Sequence, residues 1–291
     1  MSDIHIGERQ TLTVKREAEF GIYLGPDHSD ESVLLPKKQV PEGTKPGDQL
    51  PVFIYRDSED RLIATVKEPY VHIHEFAYLT VRSVTRVGAF LDWGLEKDLL
   101  LPYKEQERAL RGGEKVLVYV YADKSGRLSA TMRVYDWLSH STGDEFEKGG
   151  EVEGIVYRVQ PGIGAFTAVL EPGDRGKTRF EQLYYGLIPK QDLFENLKAG
   201  DTVSGHVVRI RPDGKLDLSI RAQAYKQILA DGETILRKID EYEGVLPFGE
   251  KASPEVIKRE LHMSKSGFKR ALGHLLKEGK ITTGDEEIRK N

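Results

Sequence analysis

Short runs of alternating apolar and polar residues recur over the first 220 positions. The clearest runs are rich in β-branched and aromatic residues and cover 50–55, 116–121 and 203–210. Polar turns rich in Asp, Ser and Gly separate them from shorter apolar runs. Alternation with a period of two and frequent turns predict a meander of short β-strands.

The same pattern of residues occurs three times. Each copy has a glycine two residues before an aromatic residue: Gly21 and Tyr23, Gly88 and Phe90, Gly164 and Phe166. Each then has an apolar pair with a proline, and later a hydroxyl residue at the end of a short apolar run: Pro36 and Thr65, Pro102 and Thr131, Pro189 and Ser219. The separation from proline to hydroxyl residue is 29, 29 and 30 residues. The chain therefore contains three structural repeats.

Five short strands in one repeat are too few for a sandwich but can close into a small barrel, which leaves no exposed edge. The glycine before each aromatic is expected to allow a bulge or a sharp bend at a barrel corner. We therefore predict a mainly β protein with three tandem five-stranded OB-type barrels, over 1–70, 71–140 and 141–221.

The remaining residues, 222–291, change to a helical pattern. Apolar residues at helical spacing predict a linker helix from about Ala222 to Tyr242. Ser253 followed by Pro254 predicts the start of a second helix, and Ser264 the start of a third, which ends at Gly279. A short strand follows at 281–283. Helix, turn, helix and strand together indicate a small α+β winged-helix domain.

Composition narrows the function classes only slightly. The chain has no cysteine, which excludes disulfides and thiolate metal sites. Neither a secretory leader nor a long apolar segment is evident, so the expected location is the cytoplasm, with no membrane partner. A net charge of -4 weighs mildly against nucleic acid, because phosphate binding depends on Lys and Arg, but local basic surfaces are compatible with it.

The residues around Gly164 and Phe166, the Gly200-Asp201 pair and the closing strand to Ser219 resemble the S-one (S1) RNA-binding domain, with repeat three closest to it and repeat one most distant. Three such barrels followed by a winged helix are similar to the conserved virulence factor B family over the whole chain. The resemblance implies a bacterial, non-enzymatic RNA-binding protein that regulates gene expression, including virulence, after transcription. It implies single-stranded RNA (mRNA) as partner and no cofactor or metal.

Single-stranded RNA is held by base stacking on aromatic rings and by cations along the phosphates. The resemblance carries the stacking positions onto Phe20, Tyr23, Phe90 and Phe166. The basic candidates are Lys190, Arg209, Lys265, Lys269 and Arg270. Each aromatic could instead pack in a barrel core, as could Trp93, and the basic face of the last helix could be ordinary solvated surface. Val87 and Ile163 replace the aromatic that Phe20 provides in repeat one, and prolines 36, 102 and 189 replace a histidine common in the S1 family.

Two other motifs resemble ligand sites but lack a required residue. The stretch 171–178 resembles a phosphate-binding loop, but Glu171 stands where that motif requires glycine, so an inserted loop is expected. His72 and His74 share one side of a predicted strand without an identifiable third metal ligand. Alternative functions are a winged-helix DNA-binding transcription regulator, an adaptor for the ribosome or the RNA-degradation machinery, and a nuclease.

Overall fold

The computed structural model describes residues 3–193, 196–284 and 286–291, with only the backbone described for 221–226. The first barrel contains β1 (Arg9–Ala18), β2 (Gly21–Gly25), β3 (Val33–Pro36), β4 (Gln49–Arg56) and β5 (Leu62–Thr65). These strands form a closed barrel in the order β1-β2-β3-β5-β4. Alternate side chains, such as Leu24, Leu35 and Ile54, point into its core and are fully buried.

The second barrel repeats this arrangement. It contains β6 (Phe76–Val84), β7 (Gly88–Asp92), β8 (Leu99–Pro102), β9 (Lys115–Ala122) and β10 (Leu128–Thr131). Their order is β6-β7-β8-β10-β9, and pairing of β9 with β6 closes the barrel. A short 3-10 turn, Val134–Trp137, leads to the third barrel.

The third barrel has one strand that pairs outside it. Its elements are β11 (Glu151–Gln160), β12 (Gly164–Leu170), β13 (Arg179–Phe180), β14 (Leu183–Pro189), β15 (Thr202–Ile210) and β16 (Leu216–Ser219). The order β11-β12-β14-β16-β15 closes the barrel, while β13 pairs antiparallel with β6 of the second barrel. The insertion expected to be a loop thus also contains a strand that connects two barrels.

The glycine before each wall aromatic permits a close backbone approach. Gly21, Gly88 and Gly164 have φ between 150° and 153°, and a Cβ atom there would lie 2.0 to 2.3 Å from the carbonyl oxygen of the neighbouring strand. The bulge itself lies in the preceding strand, after Val14, Val81 and Val156. The bulge therefore occurs opposite the wall aromatic, Tyr23, Phe90 or Phe166, and not at the glycine.

Apolar contacts join neighbouring barrels. Phe53 and Tyr55 of β4 belong to one buried cluster with the core of the second barrel. Trp93 lies in this cluster, 5.8 Å from the ring of Phe53, and is only 3% exposed. A second buried cluster joins the second and third barrels and includes Phe76, Phe180 and Leu183 among others.

The C-terminal region contains α1 (Arg221–Glu241), β17 (Val245–Leu246), α2 (Pro254–Leu261), α3 (Lys265–Lys277), β18 (Ile281–Thr283) and β19 (Ile288–Lys290). The strands form a small sheet in the order β17-β19-β18. The hydroxyls of Ser253 and Ser264 accept hydrogen bonds from the backbone N–H of Val256 and Gly267, as the sequence predicts for helix N-caps. The predicted fold, three five-stranded barrels followed by a winged helix, is confirmed.

Candidate nucleic-acid interface

The predicted wall aromatics occupy one equivalent position in the three barrels. Tyr23, Phe90 and Phe166 pair with Leu34, Leu100 and Leu187 on the next strand. Residues on either side of them, such as Ile22 and Leu24, are buried, whereas the three rings are half-buried. Since side chains alternate between the two faces of a strand, the rings lie on the outer wall of each barrel.

The third barrel has a pocket around Phe166. Four aromatic rings line it, with Tyr135, Tyr157 and Tyr185 beside Phe166. The Tyr135 and Tyr185 rings meet edge to face with centroids 4.9 Å apart, and the Tyr185 hydroxyl donates to the Tyr135 carbonyl oxygen at 2.6 Å. Tyr135 comes from the turn between the second and third barrels, so the connection between the barrels completes the pocket.

Cations surround these rings. The Arg158 guanidinium lies 5.7 Å from the Phe166 ring, and the Lys215 ammonium lies 5.3 Å from Tyr185 and 6.0 Å from Tyr135. Burial by itself lowers the pKa of Lys215, but Tyr135 and Asp213 outweigh it and raise that pKa above its ordinary value. Lys215 therefore stays charged at neutral pH beside a flat apolar surface, the combination that holds unpaired bases and their phosphates.

One carboxylate fixes two of the cations. Asp217 accepts from Arg209 at 2.8 Å and 3.0 Å and from Arg211 at 2.5 Å and 2.9 Å. Burial acts to raise the pKa of Asp217, but the hydrogen bonds from Arg211 and Arg209 outweigh it and keep that pKa below its usual value. Arg209, a predicted contact, remains 66% exposed next to the pocket although its guanidinium is paired.

The local charge balance is weakly positive. Five cations, Arg133, Arg158, Arg209, Arg211 and Lys215, stand against four acids, Glu107, Asp136, Asp213 and Asp217. Arg158 and Glu107 are 3.6 Å apart. Burial raises the pKa of Glu107, against the opposing effect of Arg158. A net negative protein thus has a positive edge at this pocket.

Sequence reasoning missed Tyr135, Tyr185, Arg158, Arg211 and Lys215. Alignment of the repeats contains a signal for two of them. Tyr185 occupies the place of Ser32 and Asp98 in the first two repeats, and Arg211 the place of Asp57 and Asp123. Only repeat three has an aromatic residue at the first of these positions and a cation at the second.

The first barrel has a simpler wall. The Arg16 guanidinium lies 3.9 Å from the Tyr23 ring centroid, a close cation–π contact. Phe20 is 72% exposed at the turn between β1 and β2. Both predicted aromatics are therefore accessible, but Ser32 stands where the third barrel has Tyr185, so this wall has no second ring at that position.

The second barrel differs because its wall faces the first barrel. Phe90 lines a cleft with Arg56, Ser58 and Asp60 of the β4–β5 hairpin. Trp93 is buried beneath this cleft, and its indole N–H donates to the Lys97 carbonyl oxygen at 2.5 Å. Of the alternatives for Trp93, core packing is the one observed.

Lys190 lies outside the pocket of the third barrel. It is exposed in a 3-10 turn after Pro189, and its backbone N–H donates to the Ile163 carbonyl oxygen at 2.8 Å. The equivalent residue of the second barrel, Tyr103, is 69% exposed. Sequence reasoning did not select Tyr103, because repeats one and three have lysine there.

The basic candidates of the winged helix lie on α3. Lys269 is exposed, whereas Lys265 and Arg270 are half-buried. Phe268, Ala271 and Leu272 point into the core of this domain. The residues that line the pocket of the third barrel include none of the three cations, so they form a separate basic surface.

His72 and the 171–178 loop contact charged residues of the chain, and His74 contacts the Tyr119 hydroxyl. His72 lies between Glu68, at 2.9 Å, and Glu75, at 3.7 Å. Across the described ranges, no three His, Asp or Glu side chains are grouped to hold a metal ion. In the loop, Arg175 pairs with Glu153 and Lys177 pairs with Asp174, so these cations already have carboxylate partners.

Comparison with known proteins identifies the domains. The S1 domain family matches residues 6–67 and 75–133, and the CvfB-like winged helix domain matches residues 233–289. The uncharacterized protein YitL of Bacillus subtilis is 30% identical over 284 residues, which cover 94% of this chain and 90% of YitL. Conserved virulence factor B of Staphylococcus aureus is 30% identical over 251 residues, which cover 81% of this chain and 79% of that protein. The chain belongs to the conserved virulence factor B family.

The resemblance stated from the sequence is thus confirmed, and this family member consists of domain types that bind nucleic acids and are not known as catalytic. The S1 matches fall on the first and second barrels, whereas repeat three was expected to match best. The insertion that contains β13 interrupts the third repeat. A multidomain protein with nucleic acid binding domains from Streptococcus pneumoniae aligns over 98% of both chains, with 22% identity and a TM-score of 0.45. None of the helices within the described residues has the length and apolar character to cross a membrane.

Proposed function

We propose that this conserved virulence factor B family member binds single-stranded RNA at the pocket of the third barrel and regulates bacterial gene expression after transcription, without catalysis. The observation that supports this most is the grouping of Tyr135, Phe166 and Tyr185 with Arg158 and Lys215. Flat rings with cations at their edges suit unpaired bases joined by phosphates.

The other predicted contacts extend this site in the proposal. Phe20 and Tyr23 give the first barrel a smaller stacking surface, and Lys190 lies at the end of β14 in the third. Lys265, Lys269 and Arg270 add a basic surface on the winged helix. Linked weak sites raise overall affinity through effective concentration, so one strand of mRNA can engage several of them.

The test is fluorescence anisotropy with labelled single-stranded RNA and with duplex RNA and DNA as competitors. Loss of one stacking contact costs about 1–3 kcal/mol, so Tyr185→Ala should weaken binding by about tenfold or more. Lys215→Ala should weaken it as well, and less at high salt. The matched control is Lys238→Ala, since Lys238 lies 5.5 Å from the Tyr242 ring but pairs with Glu241 at 2.9 Å.

Three results would contradict the proposal. If Tyr185→Ala and Lys215→Ala bound RNA as tightly as the parent, the pocket of the third barrel would not be the binding site. Duplex DNA that competes better than single-stranded RNA would favour a winged-helix transcription regulator instead. Metal-dependent cleavage of the RNA by the purified protein would contradict the absence of catalysis.

A further inference from the structure

The connection between the second and third barrels carries an exposed indole. Trp137 is 42% exposed, whereas Trp93, the other tryptophan of the chain, is 3% exposed. The indole N–H of Trp93 donates to the Lys97 carbonyl oxygen, but that of Trp137 has no acceptor within the described part of the chain. The apolar ring of Trp137 and its polar edge are thus both left to solvent.

One face of the Trp137 ring is covered by the second barrel. The ring stacks on Tyr119, with centroids 4.2 Å apart and planes 17° apart, and lies nearly parallel to Tyr121, with centroids 6.5 Å apart. The two tyrosines are two residues apart on β9, so they point from the same side of that strand and cover the same face of the indole. The exposed part of Trp137 therefore lies on the opposite face and along the edges of the ring.

Trp137 lies between the outer walls of two barrels. Strand pairing places four residues in one row across the wall of the second barrel: Phe90, Leu100, Ser129 and Tyr121. The indole extends this row at Tyr121. Tyr135, two residues before Trp137 in the same 3-10 turn, lines the pocket of the third barrel. The turn thus directs one aromatic ring to each of the two walls.

The turn that carries these rings has no net charge. Arg133, which precedes it, lies 3.3 Å from Asp136, the one acid of the turn 134–137. Phosphate attraction therefore gains little from this segment, and what it offers to a nucleic acid is flat ring surface. Stacking on an aromatic ring is the contact that such a surface makes with an unpaired base.

We propose that Trp137 is a second stacking site, which holds an unpaired base where the RNA strand crosses from the pocket of the third barrel to the second barrel. The site belongs to the connection and to none of the three repeats, so it exists only when the two barrels are joined. This inference rests on the proposed function, because the base must belong to a strand bound at that pocket. Every base has a flat face, so Trp137 should accept any of them.

The test uses the fluorescence of the protein itself, because a stacked base quenches an indole. Unlabelled oligoadenylate should quench the parent protein as it binds. Trp137→Phe keeps an aromatic ring but leaves buried Trp93 as the only tryptophan, so this variant should bind labelled oligoadenylate in anisotropy titrations without quenching. Acrylamide, which quenches exposed indoles, should quench the parent less when oligoadenylate is bound.

Affinity measurements give a second readout. Loss of one stacked base costs about 1–3 kcal/mol, so Trp137→Ala should weaken oligoadenylate binding by about tenfold, and Trp137→Phe should retain most of the affinity. The control is Tyr242→Ala, because Tyr242 is 38% exposed but follows α1, outside the connection, so this variant should bind like the parent. Thermal denaturation of each variant identifies any loss of folding.

The outcomes separate this inference from the proposed function. If the parent binds oligoadenylate without quenching, if Trp137→Phe is quenched as much as the parent, or if Trp137→Ala binds as tightly, Trp137 only attaches the connection to β9. Weaker binding by Tyr185→Ala would still support the pocket of the third barrel in each of these cases. If the parent binds no single-stranded RNA, the proposed function itself fails. Quenching that requires Trp137, together with weaker binding by Trp137→Ala, supports the second site.

Discussion

At the scale of a single residue, Gly164 allows strands β12 and β14 of the third barrel to approach each other closely. Its φ is 150°, and an added Cβ would lie 2.1 Å from the carbonyl oxygen of Ile188. Nearby Gly162 also has positive φ, 88°, but an added Cβ would meet nothing within 4 Å. A side chain at Gly162 would therefore cause backbone strain alone, whereas a side chain at Gly164 would cause the same strain and also clash with the neighbouring backbone.

We expect Gly164→Ala to destabilise the third barrel much more than Gly162→Ala. Backbone strain costs about 1–2 kcal/mol for an L-residue at such φ, and Gly164→Ala must also move β14 away from β12. Urea denaturation followed by tryptophan and tyrosine fluorescence measures the difference. Equal free energies of unfolding for the two variants would show that the close approach is not required.

The candidate site was only partly predictable at this scale. Phe166 follows from the repeat, because every copy has an aromatic two residues after the glycine. The sequence left open whether that ring is exposed for stacking or packs in the core, and the structure places it half-buried on the outer wall, against the cluster that joins the second and third barrels. Tyr135 could not be inferred, since it lies between repeats and reaches the pocket only through the turn at 134–137.

At the scale of elements, the constant spacing from the proline to the hydroxyl residue in each repeat has a physical reason. The last strand of each barrel runs parallel to the strand that ends at the proline, as the pairing of Leu34 with Ile63 and of Leu100 with Ser129 shows. A barrel of fixed size allows little change in that length. β13 escaped prediction because it has only two residues and its partner, Ala77, lies in another repeat.

Phe180 on β13 tests what this short strand contributes. It is 2% exposed within the cluster that joins the second and third barrels, so Phe180→Ala should cost about 3–5 kcal/mol and expose the 171–178 loop to proteases. Phe20→Ala is the control, because Phe20 is 72% exposed and its loss should change stability by less than about 0.5 kcal/mol. Thermal denaturation and limited proteolysis report both effects. An unchanged midpoint of thermal denaturation for Phe180→Ala would mean that β13 does not contribute to the stability of the contact between the second and third barrels.

At the scale of the whole molecule, charge is distributed unevenly. The net charge is -4, yet five cations surround the pocket of the third barrel, whereas the cleft beside Phe90 has three acids, Asp60, Asp98 and Asp123, and an equal number of cations, Arg56, Lys97 and Arg127. Under the proposed function, an RNA strand is therefore attracted to one part of the molecule and not to its average surface. Few phosphates are neutralised in such an arrangement, so the salt dependence of binding should be moderate.

The salt dependence also separates the two kinds of contact in the pocket. Each single-strand phosphate neutralised contributes about 0.7 to the slope of log affinity against log salt concentration. Lys215→Ala should therefore make the slope shallower by about that amount, because one cation no longer releases a counterion. Tyr185→Ala removes stacking without removing charge, so it should lower affinity equally at every salt concentration and leave the slope unchanged. Anisotropy titrations over a range of salt concentrations measure both, and a slope that falls in Tyr185→Ala but not in Lys215→Ala would assign the phosphate contact to another part of the protein.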